Sequence, residues 1–345
     1  MTVVIGWDIG GAHLKAARAE RGRIVEAIQA ASPLRLGLDR LAQAFAEVKA
    51  RIGTADLHVV TMTGELADTF ASRAEGVGQL CALAVRELGP ALSLYAGRAG
   101  FIAPQDGPRH VEDVASANWF ASASLAACKQ RAALLVDVGS TTTDVVPVID
   151  GAVAARGYTD EERLAAGELV YTGLVRSFVI AMADRAPFAG RWSTLINENF
   201  ATMADVHRIL EQLPEGADQM ATADGRAKSA EASRARLARV VGCDVDGASE
   251  AAWRLLAQWF AERQMRAIMD GVMLVLSAAS LRPDAPILAA GIGAAVAEEI
   301  ARRLGRPHLS FDAILDVAPD VCDRASQCAP AAALAALAAT SAMVC

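Results

Sequence analysis

The stretch DIGGAHLK at residues 8–15 and the stretch DVGSTTTD at residues 137–144 decide how this chain is interpreted. Each begins with an aspartate at the end of a short apolar run, turns through glycine and continues into a second extended run. Glycine lets backbone N–H groups approach an anion, because no Cβ stands in the way. The sequence therefore predicts two strand–turn–strand units, each able to hold a phosphate.

Outward from these turns, strands alternate with helices. Apolar residues three or four apart predict a helix at 38–52, and an apolar run predicts a strand at 57–62 with a helix opening at residue 63. Such alternation is typical of an α/β fold. At 345 residues the chain is long enough for two domains with separate cores. We expect two related α/β domains, residues 1–130 and 131–345, facing each other across a cleft.

The second half of the chain adds further elements. Helices are predicted at 197–210 and 229–241 within a helical insertion at about 180–250, and a long helix at 251–280 has a possible kink at Asp270-Gly271. A strand at 287–290 precedes a third glycine turn, at Gly291 and Gly293, and a helix at 294–304.

Composition excludes several classes of function. A formal net charge of −7 argues against a nucleic-acid partner, which favours clustered Lys and Arg. The most apolar stretches, 272–281 and 330–344, are shorter than the roughly 20 residues that cross a bilayer, so no membrane partner is expected. No signal-peptide pattern follows Met1, and we expect a cytoplasmic protein whose oligomeric state the sequence leaves open.

Cysteine and histidine spacing gives no metal motif. The six cysteines form no C-x-x-C pair, and no two histidines stand four apart on a predicted helix. We expect buried free thiols and no transition-metal site. An Mg²⁺ ion is a different matter, because Asp8 and Asp137 end the two strands and magnesium takes one or two carboxylates while keeping several waters.

Together, the turns resemble the phosphate motifs of the actin/Hsp70/sugar-kinase superfamily, whose ribonuclease H-like fold the resemblance implies for both domains. Lys15 falls where actin-like members carry a phosphate-contacting lysine. GELVYTG at 167–173 is similar to a segment of the hydantoinase/oxoprolinase branch.

Four further segments narrow the resemblance. They are similar to the tetrahydromethanopterin-linked C1-transfer pathway proteins, and with the glycine turns they extend the likeness from residue 3 to about 305. These segments are TGELAD at 63–68, NWFA at 118–121, FATMADV at 200–206 and TADGR at 222–226.

That resemblance implies a methanofuran-biosynthesis transferase. Such an enzyme condenses an aminomethylfuran-methyl diphosphate with the phenol oxygen of γ-glutamyltyramine, or of a tyrosine-type analogue, and releases diphosphate. Glu65, Asp68 or Glu168 would accept the phenol proton. Asp8 and Asp137 would hold Mg²⁺, and Asp144 would assist either the metal or the diphosphate. The diphosphate would be bound by Gly10, Gly11, Lys15, Gly139, Ser140, Thr141 and Thr142.

Alternatives stay open at this point. An ATP-dependent kinase or hydrolase would use Gly291 and Gly293 for adenosine, although AAGIG at 289–293 departs from the usual sugar-kinase turn. A non-enzymatic actin-like scaffold is the second alternative. His13 is either a proton carrier or a turn residue, and Arg226 with Asp224 either contacts a substrate carboxylate or forms a surface ion pair. Trp119 and Phe120 line either a pocket or a core.

Overall fold

The computed structural model describes residues 2–342. The first sheet has the order β3-β2-β1-β4-β5-β6, with β2 antiparallel and β4 parallel to β1. The predicted strand at 57–62 is confirmed, and the apolar run before Asp8 forms a strand that continues to Ile9. The strands are β1 Val3–Ile9, β2 His13–Glu20, β3 Arg23–Ala31, β4 Leu57–Met62, β5 Leu92–Tyr95 and β6 Phe101–Ile102.

Four helices belong to this half of the chain. The first coincides with the predicted helix at 38–52, and its apolar stripe packs on the sheet. The helix predicted to open at residue 63 is wrong, since residues 63–72 form turns and the Ser72 side chain caps a helix that begins at Arg73. The helices are α1 Leu38–Ile52, α2 Arg73–Leu88, α3 Val111–Val114 and α4 Asn118–Lys129.

The second sheet repeats the plan of the first. Its order is β10-β8-β7-β13-β14, with β9 also paired to β8, and β8 runs antiparallel and β13 parallel to β7. The predicted two-sheet α/β architecture is thus confirmed. The strands are β7 Ala132–Val138, β8 Thr143–Ile149, β9 Ala152–Val153, β10 Leu169–Val170, a separate hairpin of β11 Arg185–Phe188 with β12 Arg191–Thr194, β13 Ile287–Ala290 and β14 His308–Ser310.

The insertion contains more than helices. The β11–β12 hairpin packs with α6, α7 and the first half of α8 around a core that includes Phe188, Trp253 and Phe260. The helix predicted at 197–210 begins only at Met203, and α8 runs through Gly271 as one helix. The helices are α5 Asp160–Ala166, α6 Met203–Ile209, α7 Ala230–Val240, α8 Glu250–Ala278, α9 Ala294–Arg303, α10 Cys322–Gln327 and α11 Ala329–Ala342.

The elements stack in five layers. Helices α1 and α2 cover the outer face of the first sheet, and α8 and α9 cover the outer face of the second. Between the sheets lie α4 and α11, in a core shared by Val4 and Val59 of the first sheet and Leu135 and Leu288 of the second. The two halves therefore do not have fully separate cores, and the boundary near residue 130 stays a prediction.

The prediction of buried free thiols is correct for two of the described cysteines and wrong for the other three. Cys81 and Cys328 are buried, Cys243 and Cys322 are partly exposed and Cys128 is exposed, all with free thiols. The sixth, Cys345, lies outside the described residues. Within residues 2–342, no helix combines the length and apolarity that crossing a membrane needs.

Contact between β1 and α11 depends on Gly6. A Cβ at Gly6 would lie 2.1 Å from the carbonyl oxygen of Ala331 and 2.8 Å from the backbone nitrogen of Ala335. We predict that Gly6→Ala destabilises the protein by about 3 kcal/mol, because the strand must move off the helix. Thermal and urea unfolding measure the loss. Gly78→Ala is the control, since nothing lies within 4 Å of that helical glycine, and equal stability of the two variants would contradict the packing described.

Candidate active site

The two glycine turns face each other across a cavity of about 430 Å³. One hydrogen bond closes each turn in the same way: the Gly10 N–H donates to the His13 carbonyl and the Gly139 N–H donates to the Thr142 carbonyl, both at 2.9 Å. The structure thus brings together most of the predicted site residues. Those that line the cavity are Asp8, Gly10, Gly11, Lys15, Asp68, Asp137, Gly139, Ser140, Thr141, Thr142 and Asp144.

Register places the charges of the site side by side. Asp8 is directly opposite Lys15 on β1 and β2, and Asp137 is directly opposite Asp144 on β7 and β8. Burial alone would lower the pKa of Lys15, but the neighbouring carboxylates, Asp8 foremost, hold that pKa above its ordinary value. The lysine therefore remains protonated between carboxylates from both sheets.

Negative charge is concentrated at the strand ends. Burial, reinforced by the charge of Asp144, raises the pKa of Asp137 to about 7. Burial also raises the pKa of Asp8, although Lys15 and a hydrogen bond from the Asn118 side chain oppose that rise. The Oδ1 atom of Asp8 is buried and has no hydrogen-bond partner. An unpartnered carboxylate oxygen beside a second buried carboxylate is suited to a cation.

Three arginines also line the cavity, and none of them was predicted from the sequence. They are Arg35, Arg163 and Arg176. Arg163 is fully buried, donates to Asp144 Oδ1 at 2.8 Å and lies 4.0 Å above the Trp119 ring. Arg176 donates to Thr141 Oγ1 at 3.4 Å, and burial lowers its pKa with help from the charge of Arg35. Most arginines in proteins are exposed to solvent, so an isolated arginine in a sequence gives no sign that it enters a cavity.

The second turn is braced by the segment that follows β10. A Cβ at Gly173 would lie 2.6 Å from both the Gly139 carbonyl oxygen and the Thr141 nitrogen, so only glycine fits there. The Leu174 N–H donates to the Gly139 carbonyl at 2.9 Å, and the Arg176 N–H donates to the Ser140 carbonyl at 2.8 Å. The same segment thereby fixes the turn and carries Arg176 into the cavity.

Glu168 is not part of the cavity, which corrects its prediction as a proton acceptor. Its carboxylate accepts hydrogen bonds from the Arg156 N–H at 2.7 Å and the Gly157 N–H at 2.9 Å, beside a separate cavity of about 200 Å³. The side chain is thus used to hold the loop before α5. Glu65 does not line the cavity either. It is in contact with Ser116, which does line the cavity.

The third glycine turn is packed against the end of β7 instead of opening into the cavity. A Cβ at Gly291 would lie 2.3 Å from Asp137 Oδ1, and one at Gly293 would lie 2.5 Å from a Val138 methyl. Neither glycine lines the cavity. Both glycines thus allow close backbone packing behind Asp137, and their role at a nucleotide stays a prediction.

The structure distinguishes the two roles that the sequence left open for His13, Trp119 and Phe120. His13 lines the cavity, and burial with the nearby charges of Lys15 and Arg176 lowers its pKa to about 3, so the ring is neutral. Trp119 is buried and also lines the cavity, whereas Phe120 packs edge-on against it without reaching the lining.

Asp224 forms ion pairs within the insertion. It pairs with Arg236 and Arg239 at 3.0 Å each, while the exposed Arg226 is 4.0 Å away. Neither Asp224 nor Arg226 lines the cavity, and a substrate contact at this motif is not supported.

This sheet order, repeated on both sides of a charged interlobe cavity, defines a protein of the actin/Hsp70/sugar-kinase fold. The backbone matches an acetone carboxylase in its nucleotide-free structure with a TM-score of 0.59 at 10% identity, over 97% of this chain and 70% of that one, which shows the fold alone.

A sequence model of the hydantoinase/oxoprolinase family matches residues 56–339, and the chain belongs to that family. It is 31% identical over 243 residues to a (4-{4-[2-(γ-L-glutamylamino)ethyl]phenoxymethyl}furan-2-yl)methanamine synthase of Methanocaldococcus jannaschii, covering 70% of this chain and 72% of the relative. A synthase of the same name from Methanococcus vannielii is 34% identical over 113 residues, which are 33% of this chain and half of that protein. Like these synthases, the chain is an enzyme.

The Arg163–Asp144 pair gives a test of the site's architecture. We predict that Arg163→Ala lowers the free energy of unfolding by about 3–5 kcal/mol, because Asp144 loses its partner inside the protein and Trp119 loses the guanidinium above it. Chemical denaturation measures this change. The matched control is Arg131→Ala, which breaks an exposed pair with Asp150 and should change stability by less than about 0.5 kcal/mol. Similar losses in both variants would contradict the buried pairing.

Proposed function

We propose that this enzyme acts in methanofuran or methylofuran biosynthesis as a transferase. It condenses [5-(aminomethyl)furan-3-yl]methyl diphosphate with the phenol oxygen of γ-glutamyltyramine, or of a tyrosine-type analogue. The names of both curated relatives describe synthases whose product contains a phenoxymethyl group on a furan ring. Such a product contains an aryl ether, so its synthesis from a phenol requires a leaving group on the furan methylene carbon.

The observation that carries the proposal is the convergence on one cavity of two glycine turns, two cationic side chains and a hydroxyl without a hydrogen-bond partner. Lys15 and Arg176 lie at the first and second turn, and Ser140 has a buried Oγ without a partner. These groups suit a diphosphate, whose oxygens accept many hydrogen bonds. Trp119 and Tyr171 line the same cavity and provide aromatic surface for the furan and phenol rings.

In the proposed reaction the phenol oxygen forms a bond to the furan methylene carbon as the bond from that carbon to diphosphate breaks. The bonding electrons leave with the diphosphate, and the phenol proton passes to the protein. Preorganised donors stabilise negative charge where it develops, which is commonly the largest contribution to catalysis. Lys15, Arg176 and the N–H groups of the turns would provide that stabilisation. Asp68 also lines the cavity and is one candidate acceptor for the proton.

Mg²⁺ fits the donor set at the strand ends. Asp8 Oδ1 is unpartnered, and Asp8 and Asp137 are both buried there. Across residues 2–342, no three His, Cys, Asp or Glu side chains form a complete cage for a metal. Two carboxylates that leave room for water and phosphate oxygens match the way proteins bind magnesium. When bound, the ion would neutralise diphosphate charge.

The main test is direct synthesis. Purified protein is incubated with the furan diphosphate, Mg²⁺ and either γ-glutamyltyramine or tyrosine, and mass spectrometry follows the ether while released diphosphate is assayed. We expect one ether and one diphosphate per turnover, with the better acceptor identified by kcat/KM. Phosphorylated product or substrate-stimulated ATP turnover without ether would favour the ATP-dependent kinase or hydrolase instead.

The two strand-end carboxylates provide the second test. We predict that Asp8→Asn and Asp137→Asn each reduce ether formation about a hundredfold or more, since each removes a charge that would hold the cation. Both variants should stay folded, because a neutral amide is less costly to bury than a carboxylate. Asp270→Asn, at an exposed position of α8, is the control. Full activity in either cavity variant would remove that residue from the site.

Arg176 allows the diphosphate site to be tested without turnover. We predict that Arg176→Ala weakens the binding of inorganic diphosphate about tenfold to a hundredfold, because a hydrogen bond to a charged group usually contributes that much to affinity. Isothermal titration calorimetry measures the change. Arg226→Ala is the matched control, because Arg226 is exposed and outside the cavity. Equal affinities of the two variants would show that diphosphate binds elsewhere.

A further inference from the structure

Ser116 joins a buried carboxyl group to the cavity. Its Oγ lies 3.0 Å from Glu65 Oε1 and 3.2 Å from Asp160 Oδ2. Ser116 and Asp160 line the cavity, whereas Glu65 does not. A hydroxyl carries one proton and can donate to only one of these two oxygens. The hydroxyl therefore donates to one carboxylate at a time and can turn from Asp160 to Glu65, which links the cavity to the buried Glu65 side chain.

Glu65 is the member of this group that is set up to exchange a proton. Only 1% of the residue is exposed, and its Oε2 atom has no hydrogen-bond partner. Burial raises the pKa of Glu65 to about 7, against the lowering effects of its own backbone, the Ser116 hydroxyl and the Arg73 charge; Asp160 raises it further. Arg73 pairs with Asp160 at 2.6 Å and so neutralises the other carboxylate. Glu65 can thus change its protonation state near neutral pH.

The backbone holds the Ser116 hydroxyl in place at some cost. Ser116 has a φ of 53°, a left-handed conformation that a non-glycine residue adopts with strain. Two residues further on, within about 7 Å along the chain, the Asn118 side chain donates to Asp8. A strained serine thus stands between Glu65 and the end of β1, where the first turn begins.

We propose that Ser116 relays the acceptor's proton from the cavity to Glu65. This inference rests on the proposed function. The phenol O–H gives its proton to Ser116 Oγ while Ser116 passes its own proton to Glu65 Oε1. The phenol oxygen's electron pair then forms the C–O bond to the furan methylene carbon, and the diphosphate leaves with the electrons of the bond that breaks. Ser116 is the catalytic residue that touches substrate, and Glu65 stores the proton.

The positive φ at Ser116 makes a clean test possible. Ser116→Gly removes the hydroxyl and suits the left-handed conformation, and relief of the backbone strain offsets the lost hydrogen bond, so the variant should stay folded. We expect its kcat to fall about a hundredfold or more, with little change in KM. The matched control is Ala189→Gly, which relieves a φ of 50° in the β11–β12 hairpin, away from the cavity, and should keep full activity.

Glu65→Gln tests the other end of the relay. Wild-type kcat should rise with pH through about 7, because Glu65 must be ionised to receive the proton. At saturating Mg²⁺, which would keep Asp137 ionised, that rise should disappear in Glu65→Gln, and kcat should fall as in Ser116→Gly. The double variant should lose no more than either single variant, since both act in one step. Additive losses would overturn the relay.

Infrared spectroscopy follows the link without turnover. The band of the protonated Glu65 carboxyl, identified by its absence in Glu65→Gln, should disappear at higher pH in Ser116→Gly than in the wild type, because a hydrogen bond to the carboxylate is lost. If the Glu65 band disappeared at the same pH in both proteins, the hydrogen bond between Ser116 and Glu65 would be ruled out. Full kcat in Ser116→Gly beside an active wild type would overturn the relay alone, whereas a wild type that forms no ether would overturn the proposed function and the relay with it.

Discussion

Carboxylates from both sheets are buried around one lysine, and this charge cluster is the constraint on which the architecture depends. Asp8 and Lys15 are opposite one another in the first sheet, as are Asp137 and Asp144 in the second. Taking such groups out of water is costly unless each finds a partner. Arg163 gives Asp144 its partner, and the same side chain donates to the Glu168 carbonyl and lies over the Trp119 ring, so it connects α5 to the site.

Close backbone approach provides the rigidity that the charges need. Gly173 touches the backbone of the second turn, and Gly291 touches Asp137 from behind, at distances that leave no room for a Cβ. Gly6 does the same between β1 and α11 at the centre of the molecule. A cavity held by backbone contacts keeps its donors aligned, which is the condition for electrostatic stabilisation to contribute to catalysis. It also explains why the third glycine turn looks like a ligand motif in sequence and is a packing element in structure.

Local patterns predicted the elements well, and long-range contacts decided the rest. The helix at 38–52 and the strands at 57–62 and 287–290 were predicted residue by residue, because each has a clear apolar period or run. Both glycine turns were also recognised, since their function depends on short-range spacing. Residues 63–72 were mistaken for helix because their turns are held by tertiary contacts, such as the hydrogen bond from Thr69 to the Leu34 carbonyl.

Which charged residues enter the cavity is a question of tertiary structure alone. Glu168 belongs to the segment that suggested the family, yet its side chain turns to the Arg156 and Gly157 backbone. Arg176, in the continuation of the same segment, enters the cavity instead, because Gly173 and the Ser140 carbonyl direct the chain past the second turn. A motif thus marks a segment reliably without telling which of its side chains faces the substrate.

The two turns are alike in backbone and unlike in charge, and on the proposed function this asymmetry would let the cavity bind an anion and a cation together. Opposite Asp8 the first turn has Lys15, while opposite Asp137 the second has Asp144. On the proposed function, the first side of the cavity would attract phosphate oxygens directly, and the second would attract them only through a cation. On the proposed function, the diphosphate and Mg²⁺ would complete one another's coordination between the turns. The phenol proton then has to leave in a direction away from that charge, and Ser116 with Glu65 offers such a direction beyond the end of β1.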